Sequence, residues 1–368
     1  MGFRLPNGSE LSAEQLDIIN LPTAENWVVK GAPGTGKTVM AVYRAAQVGK
    51  KSKGKPILML VYNNPLRQFI ATALRGREYQ NVQVKTYHQW VSDIYKENQL
   101  GYVPKVEGDH DWEVIAEDMA GLGKKYAHVI VDEAQDFPVE LLQILKDLSN
   151  NMTCFVDPNQ AIEIGKTDTY DLIKTLCVES PYKLTKNFRN TKPIRDLSAL
   201  FCIEGEPAPT DMLGKKPVAI KCIPRDFVDV DSKMADIIKR NKEKNIGIIV
   251  NPKSLNITYE YLKDYLPSDV TIQMHKSHTD YRIDFDKPGV KILTYGTMKG
   301  LEFDIVLLPL FDKIEMQDGG RVDANRVYVA ITRAISELYV FYWSLIPSKG
   351  KICTMPILKK HSELLDWE

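Results

Sequence analysis

Gly31-Ala32-Pro33-Gly34-Thr35-Gly36-Lys37-Thr38 is the stretch whose residue types and spacing most directly imply chemistry. It matches G-x-x-x-x-G-K-[ST], a loop that wraps a phosphate group. Glycines let the backbone turn tightly, so that successive N–H groups converge on one anion. A helix starting at the end of the loop adds its positive terminus. In such a loop Lys37 reaches the β- and γ-phosphates, and the Thr38 hydroxyl holds Mg²⁺. The second chemical stretch is His128-Val129-Ile130-Val131-Asp132-Glu133-Ala134-Gln135-Asp136. An apolar run leading straight into two carboxylates places both at the carboxyl edge of a sheet, where ligands bind in open α/β folds. Asp132 is then suited to a Mg²⁺ shell and Glu133 to taking a proton from an attacking water.

These groups need elements to hold them. Trp27-Val28-Val29 reads as a short buried strand and Val39 to Ala46 as a helix, giving strand–loop–helix around the phosphate loop. Leu11 to Leu16 opens a helix in which Ser12 and Gln15 fit a capping box. The Gln15 amide can equally read an adenine edge, because it donates and accepts at once. Pro56 to Tyr62 is a strand, Asn63-Asn64-Pro65 a helix cap, and Val82 to Lys85 a strand running into Thr86-Tyr87-His88. Gln99 to Gly123 is polar and glycine-broken, without a period. Met152 to Val156 is a strand ending in Asp157-Pro158-Asn159-Gln160. A second series of strands follows at Val218–Ile223, Ile246–Val250, Val270–Met274, Val290–Leu293, Ile305–Leu310 and Leu338–Tyr342, with helical patterns at Met234–Lys239 and Leu255–Leu266. This alternation predicts parallel sheets covered on both faces.

A chain of 368 residues with 44% hydrophobic content predicts two domains. Its 48 basic and 48 acidic residues cancel, which argues against a broad basic coat and confines nucleic-acid contact to a local groove. Cys154, Cys177, Cys202, Cys222 and Cys353 form no C-x-x-C pair, which points away from a zinc site or disulfide framework and toward a cytoplasmic protein. No signal peptide is visible, Pro6 breaks a myristoylation motif, and the apolar runs are too short to span a membrane. His275 and His278 near Asp280 read as a polar loop, since no third metal ligand is evident.

Taken in order, the motifs resemble those of the UvrD/Rep/PcrA-type helicases of superfamily 1. Leu11 to Gln15 looks like the adenine-reading Q motif. Leu60 to Asn64 and Thr86-Tyr87-His88 look like strand-contacting motifs. Val131 to Asp136 is close to D-E-A-Q-D, Asp157 to Gln160 to G-D-x-x-Q, and Asn187-Phe188-Arg189-Asn190-Thr191 to N-Y-R-S-T. Lys299-Gly300-Leu301-Glu302-Phe303 matches K-G-L-E-F, and Tyr328 to Ala334 is close to Y-V-A-I-T-R-A. The resemblance implies an α/β fold of two RecA-like P-loop domains, 1–183 and 184–368, with parallel sheets and an ATP site in the cleft between them. It implies that Gln15 and Phe188 contact adenine and that Glu302 touches the ribose. Gly31, Ala32, Pro33, Gly34, Thr35, Gly36 and Lys37 would hold phosphate, and Thr38 and Asp132 would hold Mg²⁺. Glu133 would be the general base, Gln160 a γ-phosphate sensor, and Arg189 and Arg333 arginine fingers. Tyr62, Asn64, Thr86, Tyr87 and His88 would contact single-stranded DNA, or RNA, with movement 3′ to 5′.

Two departures bear on strand contact. Ala161-Ile162-Glu163-Ile164-Gly165 follows Gln160 without the family's stacking aromatics, and Gly296 stands where a histidine is expected. Tyr62, Tyr87 and Trp90 either replace that stacking or are core aromatics. Room for the family's accessory insertions is lacking between Trp90 and His128 and before Val290. These features predict a minimal translocase, or an ATP-gated subunit whose partner protein supplies a nuclease, wedge or anchor.

Overall fold

The computed structural model describes residues 6–62, 64, 66–67, 70, 80–160, 167, 169–275, 283–284, 287–316, 321–346 and 352–368. Asn63, Pro65, the segment Ala161 to Gly165, His278 and Asp280 lie outside the described residues. The chain divides into two compact units, Leu5–Thr185 and Lys186–Glu368.

In the N-terminal unit, strands β1 (Trp27–Gly31), β2 (Ile57–Val61), β3 (Val82–Thr86), β6 (His128–Val131), β7 (Met152–Val156) and β8 (Tyr182–Leu184) form one sheet. Its order is β3-β2-β6-β7-β1-β8. Every pairing is parallel. A short antiparallel pair, β4 (Lys105–Val106) and β5 (Asp109–His110), stands apart. The helices are α1 (Ala13–Asn20), α2 (Lys37–Lys51), α3 (Tyr87–Glu97), α4 (Trp112–Met119), α5 (Val139–Asp147) and α6 (Thr169–Leu176). Strands β2, β6 and β7 are buried at every residue, as parallel strands covered on both faces must be.

The C-terminal unit repeats the plan. Strands β9 (Val218–Lys221), β10 (Asn245–Val250), β11 (Ile272–Met274), β12 (Gly289–Thr294), β13 (Phe303–Leu308), β15 (Ala334–Tyr342) and β17 (Asp366–Trp367) form a parallel sheet in the order β11-β12-β10-β13-β15-β9-β17. Strands β14 (Glu315–Met316) and β16 (Ile352–Cys353) pair antiparallel beside it. Helices α7 (Lys192–Ala199), α8 (Phe227–Arg240), α9 (Leu255–Tyr265), α10 (Arg321–Ile331) and α11 (Thr354–Lys360) complete the unit. The fold is therefore α/β with two large parallel sheets, consistent with two RecA-like domains. No helix among the described residues is long and apolar enough to cross a membrane.

One stretch read as aperiodic is ordered. Within Gln99 to Gly123, Asp111 caps α4 by accepting the Val114 N–H at 3.3 Å, and Trp112, Ile115 and Met119 bury one face against the core. The flanking glycines and acids had diluted that period. Trp90 is also corrected as a base-stacking candidate. It has no exposed surface, and its indole donates to Tyr126 Oη at 3.0 Å.

A buried polar cluster ties these layers together below the site. Arg44 on α2 donates to the carbonyls of Leu21 (2.5 Å) and Pro22 (2.6 Å), to Gln47, and at 3.4 Å to Thr153 Oγ1. His128 at the start of β6 contacts Thr153 Oγ1 at 2.8 Å and the Thr23 carbonyl at 3.3 Å. Burial, with the Arg44 charge beside it, lowers the His128 pKa to about 3. The ring is thus neutral in the fold, while in the unfolded chain it titrates near 6.5. Its contribution is fully present above that value and is lost as pH falls toward 3, by about 1.4 kcal/mol per pH unit. Between pH 6.5 and 5.5, where the unfolded ring is still partly titrated, the parent chain should lose roughly 1 kcal/mol more stability than His128→Gln. Urea unfolding at the two pH values measures this, and equal losses in both proteins would count against a neutral buried His128.

Candidate functional site

The phosphate loop joins β1 to α2 as the sequence predicts. Gly36 caps α2 with φ 89°, a left-handed value that an L side chain rarely adopts. Neighbouring side chains crowd the same positions. A Cβ on Gly36 would lie 2.6 Å from Gln15 Nε2, and one on Gly31 would lie 2.5 Å from Thr35 Oγ1. The loop closes on itself through Thr35 Oγ1, which donates to the Ala32 carbonyl at 2.8 Å. This backbone cradle, with a helix terminus behind it, fits a phosphate group.

Gln15 performs the capping task and makes a second contact besides. Its Oε1 accepts the Ser12 N–H at 3.0 Å in a capping box, while its Nε2 donates to the Thr35 carbonyl at 3.1 Å. It is thereby fixed against the phosphate loop itself.

The carboxylates arrive at the end of β6. Asp132 is wholly buried, and Thr38 Oγ1 donates to its Oδ2 at 2.7 Å. Burial pushes its carboxyl above the usual range and the Glu133 charge adds to this, while Thr38 and Lys37 oppose it. A hydroxyl and a carboxylate in contact are hard oxygen donors of the kind that Mg²⁺ uses together with substrate phosphates. Glu133 has φ 55°. Its Oε2 accepts from Gln135 Nε2 at 2.8 Å, and Gln135 Oε1 accepts the Asp157 N–H at 3.0 Å. Asp157 gathers the other end of the site. Its Oδ2 accepts from Gln160 Nε2 at 2.7 Å and lies 3.6 Å from Lys37 Nζ, which also donates to the Ala32 carbonyl at 3.2 Å. Burial nonetheless raises the Asp157 carboxyl, outweighing the Lys37 charge.

The structure therefore brings Gln15, Lys37, Thr38, Asp132, Glu133 and Gln160 to one edge of the N-terminal sheet. Sequence reasoning passed over Asp157 and Gln135 as connecting groups. Both stand inside quoted motifs, but their roles need contacts 22 residues apart.

The C-terminal unit gathers a cationic set. Arg189 Nε pairs with Glu302 Oε2 at 2.6 Å. Arg333 is 1% exposed, and its guanidinium donates to the carbonyls of Val329 (3.1 Å) and Leu301 (3.2 Å). Phe188 is 41% exposed, with Lys186 Nζ 5.9 Å from its ring centre.

Of the residues assigned to strand contact, Thr86, Tyr87 and His88 stand at the start of α3. Thr86 is buried and caps α3 in a reciprocal pair with Gln89, whose Nε2 also reaches Asn64 Oδ1 at 3.4 Å. Tyr87 lies in an aromatic group with His88, Trp112 and Phe137. His88 Nδ1 lies 2.8 Å from His110 Nε2, and His88 itself is exposed. Tyr62, at the end of β2, is half-buried. Among the described residues no group of three or more His, Cys, Asp or Glu is placed to hold a metal, His275 included.

The family model for the Schlafen group 3 DNA/RNA helicase domain matches residues 24–213, just over half of the chain. The chain belongs to the Schlafen group 3 helicase family. Membership makes it a helicase-type protein, and the match does not extend to the UvrD/Rep/PcrA subtype that its motifs resemble. Among solved structures, the C-terminal domain of a possible DNA helicase from Lactobacillus plantarum WCFS1 is similar at 16% identity, covering 49% of this chain and 97% of that domain. The TM-score of 0.36 is too low to bear an argument. No curated protein matches the chain.

For this Schlafen-type domain the cradle makes a specific demand on glycine. Gly36→Ala introduces both left-handed strain and a clash, whereas Gly54, at φ 82°, has open space around it. Gly54→Ala carries the backbone cost alone, roughly 1–2 kcal/mol. Gly36→Ala should weaken binding of a fluorescent ATP analogue at least about tenfold, a loss of about 1.4 kcal/mol. Gly54→Ala should leave it unchanged, and equal affinity in the two variants would refute the cradle.

Proposed function

We propose that the chain is a Mg²⁺-dependent ATP hydrolase of helicase type that couples turnover to movement along single-stranded nucleic acid. The supporting observation is the contact between Thr38 and the buried Asp132 directly behind the phosphate loop. On this reading the loop amides and Lys37 bind the phosphates, and Lys37 exchanges Ala32 and Asp157 for them. Thr38 and Asp132 hold Mg²⁺, which when bound draws charge from the phosphate oxygens. Glu133, oriented by Gln135, accepts a proton from the attacking water as the γ-phosphoryl group leaves ADP. Gln160, tied to Asp157, senses the γ-phosphate or that water. Gln15 and Phe188 bracket adenine, and Glu302 touches the ribose. Arg189 and Arg333 supply cations to the transferring phosphoryl group, for which Arg189 must release Glu302.

The family's printed description as a DNA/RNA helicase domain supports a nucleic-acid substrate. DNA and the 3′ to 5′ direction rest on the motif resemblance, with Tyr62, Asn64, Thr86, Tyr87 and His88 as the contacts. Cytoplasmic residence rests on cysteine usage. The test of the chemistry is Glu133→Gln. It should retain ATP affinity and lose roughly 10²-fold or more in turnover; parental turnover would remove Glu133 from its role.

Strand grip is the weaker half of the design. Trp90 is committed to the core, the chain carries no net charge, and the Gly296 position offers open space where the resemblance expects a histidine. Separating a base-pair step costs about 1.4 kcal/mol of stacking, which a weak grip does not retain between ATP cycles. These observations favour a partner protein that supplies a wedge or anchor, with the chain as its ATP-gated subunit. On a 3′-tailed duplex near physiological salt, the chain alone should show single-strand-stimulated ATPase activity with little unwinding. Robust multi-turnover unwinding would instead identify a self-sufficient helicase.

A further inference from the structure

Three segments distant in sequence meet in the C-terminal unit. Residues 187–190 carry Arg189, residues 301–303 carry Glu302, and residues 332–334 carry Arg333. Asn190 has no exposed surface. Its Nδ2 donates to the Thr332 carbonyl at 3.0 Å and to the Ala334 carbonyl at 2.6 Å, the two carbonyls that flank Arg333. Its Oδ1 accepts from Asn187 Nδ2 at 3.0 Å. Asn187 Oδ1 in turn accepts the N–H groups of Arg189 (2.9 Å) and Asn190 (3.1 Å). The Arg333 carbonyl accepts the Phe303 N–H at 3.0 Å, next to Glu302.

An asparagine amide suits this junction for chemical reasons. One nitrogen brings two protons to two carbonyls, while the oxygen on the same short stem takes a third bond. Serine, which the helicase motif N-Y-R-S-T carries at this position, has a single proton. Aspartate would face two carbonyl oxygens with no proton at all. Buried carbonyls left without donors are costly, so the backbone on either side of Arg333 depends on this side chain.

We propose that Asn190 is a positioning residue that fixes Arg189 and Arg333 as one rigid pair, so that both guanidinium groups are presented together. The proposal rests on the reading that these arginines act on the nucleotide. Misplacement of such groups by about 1 Å can cost 10²-fold in rate.

The test is ATP hydrolysis by the full chain with a dT oligonucleotide, comparing Asn190→Ser, Asn190→Asp, the Arg189→Ala/Arg333→Ala double variant and the triple variant that adds Asn190→Ser. Steady-state rates are measured for all of them at one temperature, 20 °C below the lowest melting midpoint in the set, so that an early-melting variant is still read in its folded state. Asn190→Ser should lower kcat by about 10- to 100-fold with KM for ATP nearly unchanged, and Asn190→Asp should be worse. In the double-arginine background Asn190→Ser should cost nothing further, because its effect passes through groups already removed. Parental kcat in Asn190→Ser, beside a slow double-arginine variant, overturns the proposal and leaves the arginine reading intact. An equal loss in both backgrounds also overturns it, since that is the mark of a general structural role. Normal hydrolysis by the double-arginine variant overturns the arginine reading and the proposal with it.

Discussion

A carboxylate held entirely out of water is the constraint around which the N-terminal unit is arranged. An ionised group in such a place needs donors or cations close by, or it takes up a proton instead. Asp132 meets that need with the Thr38 hydroxyl, the Glu133 N–H at 3.1 Å and the nearby Lys37 charge. Asp132 and Thr38 are 94 residues apart in sequence. Only a sheet that brings the carboxyl ends of β1 and β6 to one edge can join them, and the order β2-β6-β7-β1 does so with β7 between the two. That interposed strand also delivers Asp157, which ties Lys37 and Gln160 into the same group.

The backbone at Glu133 resolves a second difficulty. Two adjacent carboxylates repel one another, and each raises the other's proton affinity. A left-handed residue at the end of β6 breaks the extended run, and the two carboxylates end on different partners, Asp132 on Thr38 and Glu133 on Gln135. The strain, of order 1–3 kcal/mol, is sustained because the next residues begin a tight helical turn through Ala134–Asp136. Strain and spacing therefore have one cause: both acids must leave the same strand end and serve different neighbours. The C-terminal unit faces the opposite charge problem. It buries the Arg333 guanidinium among backbone carbonyls, to which the planar fork brings several donors at once.

What could be read in advance follows the range over which sequence patterns act. The phosphate loop, β6, β7 and the cap at Ser12 and Gln15 were legible because each depends on residues within a few positions. The two-sheet α/β class was legible from the alternation of apolar runs with helical patterns. Helix α4 was not, because its three buried residues sit among glycines and acids that weaken the period. The role of Trp90 was not, because its partner Tyr126 is 36 residues away. Arg44 gave no local sign at all. It looks like an ordinary helix-surface arginine until α1, α2 and β7 are packed, with Thr153 lying 109 residues along the chain. The connecting roles of Gln135 and Asp157 fall in the same class, since periodicity carries no information about which side chains meet across a sheet.

Contacts across the C-terminal sheet also decide where the physical unit ends. The family match stops at residue 213. It includes Arg189 but neither the segment around Glu302 nor that around Arg333. Yet the stretch around Arg189 is bonded to both: the Thr191 N–H donates to the Ile335 carbonyl at 3.4 Å, and the Arg189 side chain pairs with Glu302. A chain cut at the edge of the match would leave buried donors of residues 187–191 without their acceptors, each at a cost of about 1–3 kcal/mol. The matched stretch thus contains the Arg189 motif without the residues that give it shape, and the physical unit that presents Arg189 extends through at least β15.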